Sequence, residues 1–192
     1  GVAARLSELM EFDERKYGLA YSIMMTLPGT PLVYYGDEFG KPNDEEYFEK
    51  RAKETGYKDS RYLVRGKIDW DYWEKELQNP DSFHYKVNAI IKNQLRVRKE
   101  TNVFGRGEID WLEVLDEHDN NLESVLAFLR KHDNEQVIAI HNLSEEQQIT
   151  NLNVSFLTDD ETDMLGQEIK TDEEGRLILD PFSYLWIELS EN

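Results

Sequence analysis

The sequence predicts an α/β segment followed by an all-β domain, on three observations. An apolar run at Leu32–Tyr35 does not alternate with polar residues, which is typical of a strand covered on both faces. Apolar residues recur at three-to-four spacing over residues 6–27 and again over 81–99, which indicates helices. From Glu108 onward the spacing becomes two, which indicates short antiparallel strands in a small sandwich or barrel.

The central element is a predicted buried strand at residues 31–35. Pro28-Gly29 predicts a turn before it, and Pro31 suits the first position of a strand, where its missing N–H matters least. Gly36 ends the strand, and the carboxylates Asp37 and Glu38 follow directly. In an α/β barrel the functional groups lie at that end of the strands.

The predicted helices differ in their surroundings. Residues 6–27 divide near Asp13, which caps a second helical segment that is apolar around most of its surface. Residues 41–57 are highly charged and predict a solvated helix or excursion. Residues 81–99 form an amphipathic helix, capped by Asp81 or Ser82 and ending in basic residues that complement its dipole.

Five segments of the second half are predicted strands, separated by turn-forming residues. They are Leu122–Leu129, Gln136–His141, Gln147–Val154, Arg176–Leu179 and Tyr184–Leu189.

Composition excludes several classes of protein. The formal charge of −18 over 192 residues argues against a nucleic acid partner, because phosphates would be repelled. No stretch is long and apolar enough to span a membrane. The absence of cysteine excludes disulfides and, with the acidity and a first segment unlike a signal peptide, favours a cytoplasmic location.

Two motifs carry a resemblance to a known family. Pro28-Gly29-Thr30-Pro31-Leu32-Val33-Tyr34-Tyr35-Gly36-Asp37-Glu38 resembles the last barrel strand of the α-amylase family of retaining glycoside hydrolases and transglucosylases. Residues 58–70, which include Asp59-Ser60-Arg61, are similar to the loop after that strand in the trehalose synthase and amylosucrase branches. The amylosucrase loop usually carries His before its second Arg, where this chain has Val64, so sucrose specificity does not follow from the resemblance.

The resemblance implies a fold and an activity. Residues 1–105 would be the C-terminal piece of a (β/α)8 TIM barrel, with its eighth strand at about 31–35, and residues 106–192 a C-terminal antiparallel β-sandwich domain. The whole protein would act on an α-glucoside or oligosaccharide, by hydrolysis or by transglucosylation, without a cofactor. The family's three catalytic carboxylates would lie upstream of Gly1, in the rest of the same barrel, so we expect this chain alone to be inactive.

The resemblance also implies which residues contact substrate. We expect Arg61 to pair with an upstream Asp and close the glucose pocket, and Asp37, Glu38, Asp59 and Arg65 to line it or hold its loops. From the residues alone, a surface salt bridge at Arg61 and loop caps at the carboxylates are the alternatives. We predict no metal site, since neither the histidines nor Asn43-Asp44-Glu45-Glu46 has a ligand spacing.

Two other functions stay open. A non-catalytic carbohydrate-binding or interaction module would show exposed aromatic residues on the sandwich, with Trp111, Phe128, Phe182 and Trp186 as candidates that alternation places mostly inward. A truncated folding remnant would instead expose its apolar strand and helix and aggregate or dimerise through them.

Overall fold

The computed structural model describes residues 3–152 and 161–189 of the chain and divides it into two compact units. The helical unit comprises Gly1–Gly18 and Leu32–Lys92, and the sandwich unit comprises Leu19–Pro31 and Asn93–Asn192. The predicted boundary at 105/106, between the barrel segment and the β-domain of the whole protein, stays a prediction.

The described residues form six α-helices and two 3-10 helices. The α-helices are α1 (Leu6–Leu9), α2 (Glu14–Thr26), α3 (Glu45–Thr55), α4 (Trp70–Glu76), α5 (Phe83–Glu100) and α6 (Val103–Arg106), and the 3-10 helices are Asp37–Phe39 and Ser60–Val64.

Seven strands form two antiparallel sheets in the described part of the sandwich unit. They are β1 (Glu108–Trp111), β2 (Val114–Leu115), β3 (Val125–His132), β4 (Glu135–Asn142), β5 (Gln148–Leu152), β6 (Leu177–Leu179) and β7 (Tyr184–Glu188). One sheet has the order β1-β3-β4-β7 and the other β2-β5-β6, so the predicted antiparallel β-domain is confirmed.

The core of the sandwich unit lies between the two sheets. Buried aliphatic side chains of both sheets meet there, including Leu129, Ile138 and Ile140 of the first sheet and Leu177 and Leu179 of the second. Burial of such side chains stabilises a fold by about 1.5–3 kcal/mol each.

The opposite face of the four-stranded sheet is also covered. Trp186 Nε1 donates to Ser22 Oγ of α2 at 2.8 Å, and His141 Nε2 lies 3.0 Å from the same oxygen. Phe104 of α6 packs against the Trp186 ring at 4.9 Å. Because both faces of the sheet are covered, β4 is buried along almost its whole length.

The helical unit is organised around an aromatic group. Phe39 packs on Trp73 with ring centroids 4.6 Å apart, and Trp73 contacts His84 at 4.8 Å. His84 Nδ1 lies 3.0 Å from the carbonyl oxygen of Phe39. These contacts join the Asp37–Phe39 turn to α4 and to the start of α5.

The predicted strand at 31–35 is wrong for this chain. Residues 31–34 have no regular secondary structure, a turn begins at Tyr35, and Leu32 is 73% exposed. A strand needs neighbours for its backbone N–H and C=O groups, and the described residues of the helical unit form helices and turns without a sheet. The (β/α)8 barrel is therefore not present in this chain.

The other predicted helices and strands are present, whereas α4 and α6 had no prediction. The helix over 6–27 is α1 and α2, and the Asp13 side chain accepts the Arg15 amide at 2.8 Å. The helix over 81–99 is α5, with Ser82 Oγ accepting the Tyr85 amide. Strands β1 and β2 had no separate prediction, and Val154, at the end of a predicted strand, lies outside the described residues.

Within residues 3–152 and 161–189, no helix combines the length and apolar character needed to cross a bilayer.

Candidate functional site

The predicted site residues lie in two segments of the helical unit, each built on a 3-10 turn. Asp37 and Glu38 form the turn that follows Gly36, which has a left-handed φ of 90° that glycine adopts without strain. Asp59 caps the second turn, Arg61 lies within it and Arg65 ends it. We name the segments the Asp37 turn, residues 36–40, and the Arg61 loop, residues 58–66.

Asp37 is paired with an arginine that sequence reasoning did not select. Arg5 Nη1 lies 3.1 Å from Asp37 Oδ1 and also donates to the Tyr35 carbonyl at 2.7 Å. Arg5 is only 2% exposed, so this ion pair is screened little by solvent. The Tyr17 hydroxyl donates to the Asp37 carbonyl at 2.7 Å, which fixes the backbone of the turn.

Arg5 also reaches the Arg61 loop. Its Nη2 donates to the Val64 carbonyl at 2.6 Å. The Tyr35 hydroxyl donates to the Gly66 carbonyl at 3.2 Å, and the Asp44 amide donates to the Leu63 carbonyl at 2.7 Å. Three backbone carbonyl groups of the loop are thereby held by residues 5, 35 and 44.

Two tyrosine rings enclose the arginine. The Arg5 guanidinium carbon lies 4.9 Å from the Tyr34 ring centroid and 5.0 Å from that of Tyr35. Such contacts stabilise a desolvated cation by up to about 2 kcal/mol. Burial, followed by the neighbouring Tyr34, raises the pKa of the Tyr35 phenol. We call Arg5, Tyr34, Tyr35, Asp37 and Val64 the Arg5 cluster.

A second charged pair lies beside this cluster. Lys41 Nζ is 3.5 Å from Asp44 Oδ2, and burial lowers the pKa of the lysine while the carboxylate opposes the shift. Gly66 packs directly on Asp44, because a Cβ added there would lie 1.8 Å from Asp44 Oδ2. The Arg61 loop can therefore approach only with glycine at this position.

Glu38 closes its own turn. Its Oε2 accepts the Gly36 amide at 2.6 Å, and its carbonyl accepts Asn88 Nδ2 at 2.9 Å. Its role in this structure is that of a loop cap.

Asp59 and Arg61 form a local ion pair. Arg61 Nε and Nη2 donate to the Asp59 carboxylate at 2.9 and 2.5 Å, and the Arg61 amide donates to Asp59 Oδ1 at 2.9 Å. The side-chain hydrogen bond from Arg61 lowers the pKa of Asp59 to about 2, with smaller help from the charge of Arg65. The Arg61 side chain is 63% exposed. The predicted pairing with an upstream Asp involves a group outside the chain and stays a prediction.

Arg5 was missed because its partners lie 30 to 59 residues away in sequence. One signal was present. Arg5 directly precedes a predicted helix and is the N-cap of α1, where a cation is unfavourable for the helix dipole. A basic residue at a helix N-terminus indicates that other contacts of its side chain outweigh the unfavourable interaction with the helix dipole.

The aromatic candidates of the sandwich unit do not form an exposed cluster. Phe128 and Trp186 are fully buried and Phe182 is half-buried, whereas Trp111 on the edge strand β1 is 63% exposed. Trp111 packs edge-on against Phe128, its partner in the β1–β3 register, at 5.4 Å.

The chemistry available to the site is binding chemistry. Its carboxylates can accept hydrogen bonds from the hydroxyl groups of a neutral ligand, and its guanidinium groups can donate to them. Within the described ranges, no three His, Asp or Glu side chains come together as a metal site.

Comparison with known proteins places residues 113–186 in the family described as the C-terminal domain of maltogenic amylase. The chain is 29% identical over 168 residues to the trehalose synthase of Thermus thermophilus, covering 79% of this chain and 17% of that protein. It is 26% identical over 187 residues to alpha-amylase 3 of Dictyoglomus thermophilum, covering 89% and 34%. The chain thus spans about a sixth to a third of the length of these curated relatives.

The fold is shared with a solved structure. The debranching enzyme of Nostoc punctiforme superposes with a TM-score of 0.65 at 18% identity, over 97% of this chain and 33% of that one.

Proposed function

We propose that the chain is the C-terminal part of an α-amylase family enzyme that hydrolyses or transfers α-glucosidic bonds, because residues 113–186 match the maltogenic amylase C-terminal domain and the chain is similar to a trehalose synthase and an alpha-amylase. Residues 1–105 would complete the last segment of its barrel, where residues 31–35 would gain the neighbouring strands that they lack in this chain. Residues 106–192 would be its β-domain. The upstream part of the same protein would supply the catalytic carboxylates.

The observation that carries this proposal is that the Asp37 turn and the Arg61 loop lie together and share a partner. The resemblance assigns both the Asp37 turn and the Arg61 loop to one substrate pocket. In the structure Arg5 bonds to both segments, at Asp37 and at the Val64 carbonyl. A buried arginine that bonds to both segments supports their assignment to one site.

The proposed task of the chain is to form part of the pocket wall. Arg61 would close the first glucose subsite, with Asp59 fixing its guanidinium, while Asp37 and Arg65 hold or line the loops. A bidentate arginine–carboxylate pair is rigid, which favours a closed pocket that releases or transfers single glucose units. The likeness of the loop to amylosucrase and trehalose synthase is part of this proposal, and the choice of substrate is open.

The test compares the native protein with the isolated chain. An antibody to this chain is expected to detect a protein at least two to three times heavier than 22.6 kDa in cell extract. That protein should release or transfer glucose from maltose, trehalose or sucrose, and the isolated chain should not. Activity of the chain above a heat-killed control would refute the assignment of the catalytic groups, and a native mass near 22.6 kDa would refute the barrel.

One observation favours the alternative of a carbohydrate-binding module. Trp111 is exposed on an edge strand and held by Phe128, as a sugar-stacking ring would be. Titration with maltooligosaccharides should quench tryptophan fluorescence in the isolated chain if this module exists, and the quenching should disappear in Trp111→Ala. No response would remove the alternative.

A further inference from the structure

We propose that Arg5 is the positioning residue of the substrate pocket, which holds the Arg61 loop against the Asp37 turn. This inference rests on the proposed function for its kinetic consequence, whereas its structural part stands on the contacts alone. Arg5 is not among the residues to which the family resemblance assigned a role.

The first argument is connectivity. One guanidinium group donates to Tyr35 and Asp37 on one side and to Val64 on the other. Hydrogen bonds from a charged donor are about twice as strong as neutral ones. The bonds from Tyr35 to the Gly66 and Val64 carbonyls and from the Asp44 amide to the Leu63 carbonyl are between neutral groups. Arg5 therefore supplies the strongest direct link to the loop backbone.

The second argument is burial. The Arg5 side chain is almost completely enclosed, with its guanidinium against the Tyr34 and Tyr35 rings. Lysine would keep the charge, but a compact ammonium cannot reproduce a planar fork that serves three acceptors in two segments.

The third argument is the place where the loop is held. Val64 lies between Arg61 and Arg65, at the end of the 3-10 turn that Asp59 caps. Holding the Val64 carbonyl therefore fixes the turn that presents the predicted pocket residues. A displacement of about 1 Å in a substrate-positioning group can reduce activity about 100-fold.

The structural test is hydrogen exchange in the 192-residue chain. In Arg5→Gln we expect the amides of Asp44 and Tyr62, which bond to the Leu63 and Asp59 carbonyls, to exchange about tenfold faster or more. Arg5→Lys should give an intermediate increase. The paired amides of β3 and β4 should be unchanged.

Arg15→Gln is the matched control, because Arg15 is an exposed arginine of the same unit whose guanidinium pairs with Asp13. It should leave the Asp44 and Tyr62 amides within twofold of the wild-type rates. Unchanged exchange in Arg5→Gln would overturn the proposal. Uniform acceleration across the helical unit, in both Arg5→Gln and Arg5→Lys, would also overturn it, since Arg5 would then stabilise the unit as a whole.

The kinetic test uses the whole protein and the same variants. Because the loop binds substrate and carries no catalytic carboxylate, we expect KM to rise about tenfold in Arg5→Gln, with a smaller change in kcat and partial recovery in Arg5→Lys. An equal KM would overturn the kinetic part. Should the whole protein not act on α-glucosides, the proposed function fails, and hydrogen exchange still decides the role of Arg5.

Discussion

Two buried arginines, one in each unit, differ in what they hold. Arg130 of the sandwich unit is fully buried and donates to the carbonyls of Thr26, Phe104, Gly107 and Glu108. Arg5 of the helical unit pairs with a carboxylate, two carbonyls and two aromatic rings.

The difference follows from the surroundings of each residue. Arg130 completes a unit that already has a continuous aliphatic core between two sheets, and it binds the carbonyl at the end of α2. Arg5 lies in a unit that leaves Leu32, Tyr57, Trp70 and Tyr72 exposed and holds loops instead of a sheet. We infer that Arg130 serves the stability of the fold, whereas Arg5 serves the geometry of a site.

The largest effect is expected for Arg130→Met. Four buried or half-buried carbonyl groups would lose a charged donor, and we expect the free energy of unfolding to fall by about 4 kcal/mol. Urea denaturation followed by circular dichroism measures it. The matched control is Arg96→Met, because Arg96 is an exposed arginine that pairs with Glu100, and its loss should cost less than about 0.5 kcal/mol. Equal losses in the two variants would contradict the role given to Arg130.

The second prediction concerns pH and the sandwich unit. Burial lowers the pKa of His141 to about 4, below its ordinary value near 6.5. The unfolded chain therefore binds the proton more readily, so stability is complete above about pH 6.5 and falls as the pH drops towards 4. We expect a loss of roughly 2–3 kcal/mol between pH 7.5 and pH 4.5 from this residue.

His141→Gln isolates that contribution from those of other groups. Glutamine can still bond to Ser22 but has no proton to gain, so the slope of unfolding free energy against pH should become flatter. Urea midpoints at several pH values for both proteins measure the slopes. Identical slopes would show that His141 is not the group responsible.

The smallest effect is expected for Arg61→Gln in the helical unit. Loss of the guanidinium should raise the pKa of Asp59 from about 2 towards its ordinary value of 3.8. A depressed carboxyl pKa stabilises the folded state above the ordinary pKa, and this stabilisation is lost as the pH falls towards 2. Carbon-detected NMR titration of the Asp59 carboxyl group checks the shift.

Little change in stability is expected near neutral pH, because the Asp59–Arg61 pair is largely solvent-screened. Arg15→Gln should leave the Asp59 titration unchanged. An unchanged Asp59 pKa in Arg61→Gln would mean that the pair is not formed in solution.

The two units were also unequally predictable from sequence. A period of two and turn residues located five strands, because those patterns depend on neighbouring residues in the chain. Alternation placed most of the aromatic candidates inward, and Phe128 and Trp186 are indeed fully buried, although outside the aliphatic cluster that contains Leu129 and Ile138.

In the helical unit, local sequence patterns predicted less of the structure. The run at 32–35 has the composition of a buried strand. Composition alone, however, does not show whether neighbouring strands are present to pair with it. The site motifs were found through the resemblance, while Arg5 was not, because no local pattern encodes a bond to Val64 across 59 positions. Trp111 and Phe128 are partners in one register, and only the edge position of β1 leaves the tryptophan exposed.

The close approach of Gly66 to Asp44 has a consequence for engineering. Replacing the Arg61 loop with a segment of another protein would require glycine at position 66, since a Cβ there would lie 1.8 Å from Asp44 Oδ2. Chimeras should therefore be joined outside residues 44 and 66, so that both come from the same parent. Position 66 should accordingly be kept as glycine in any variant of the loop that retains Asp44.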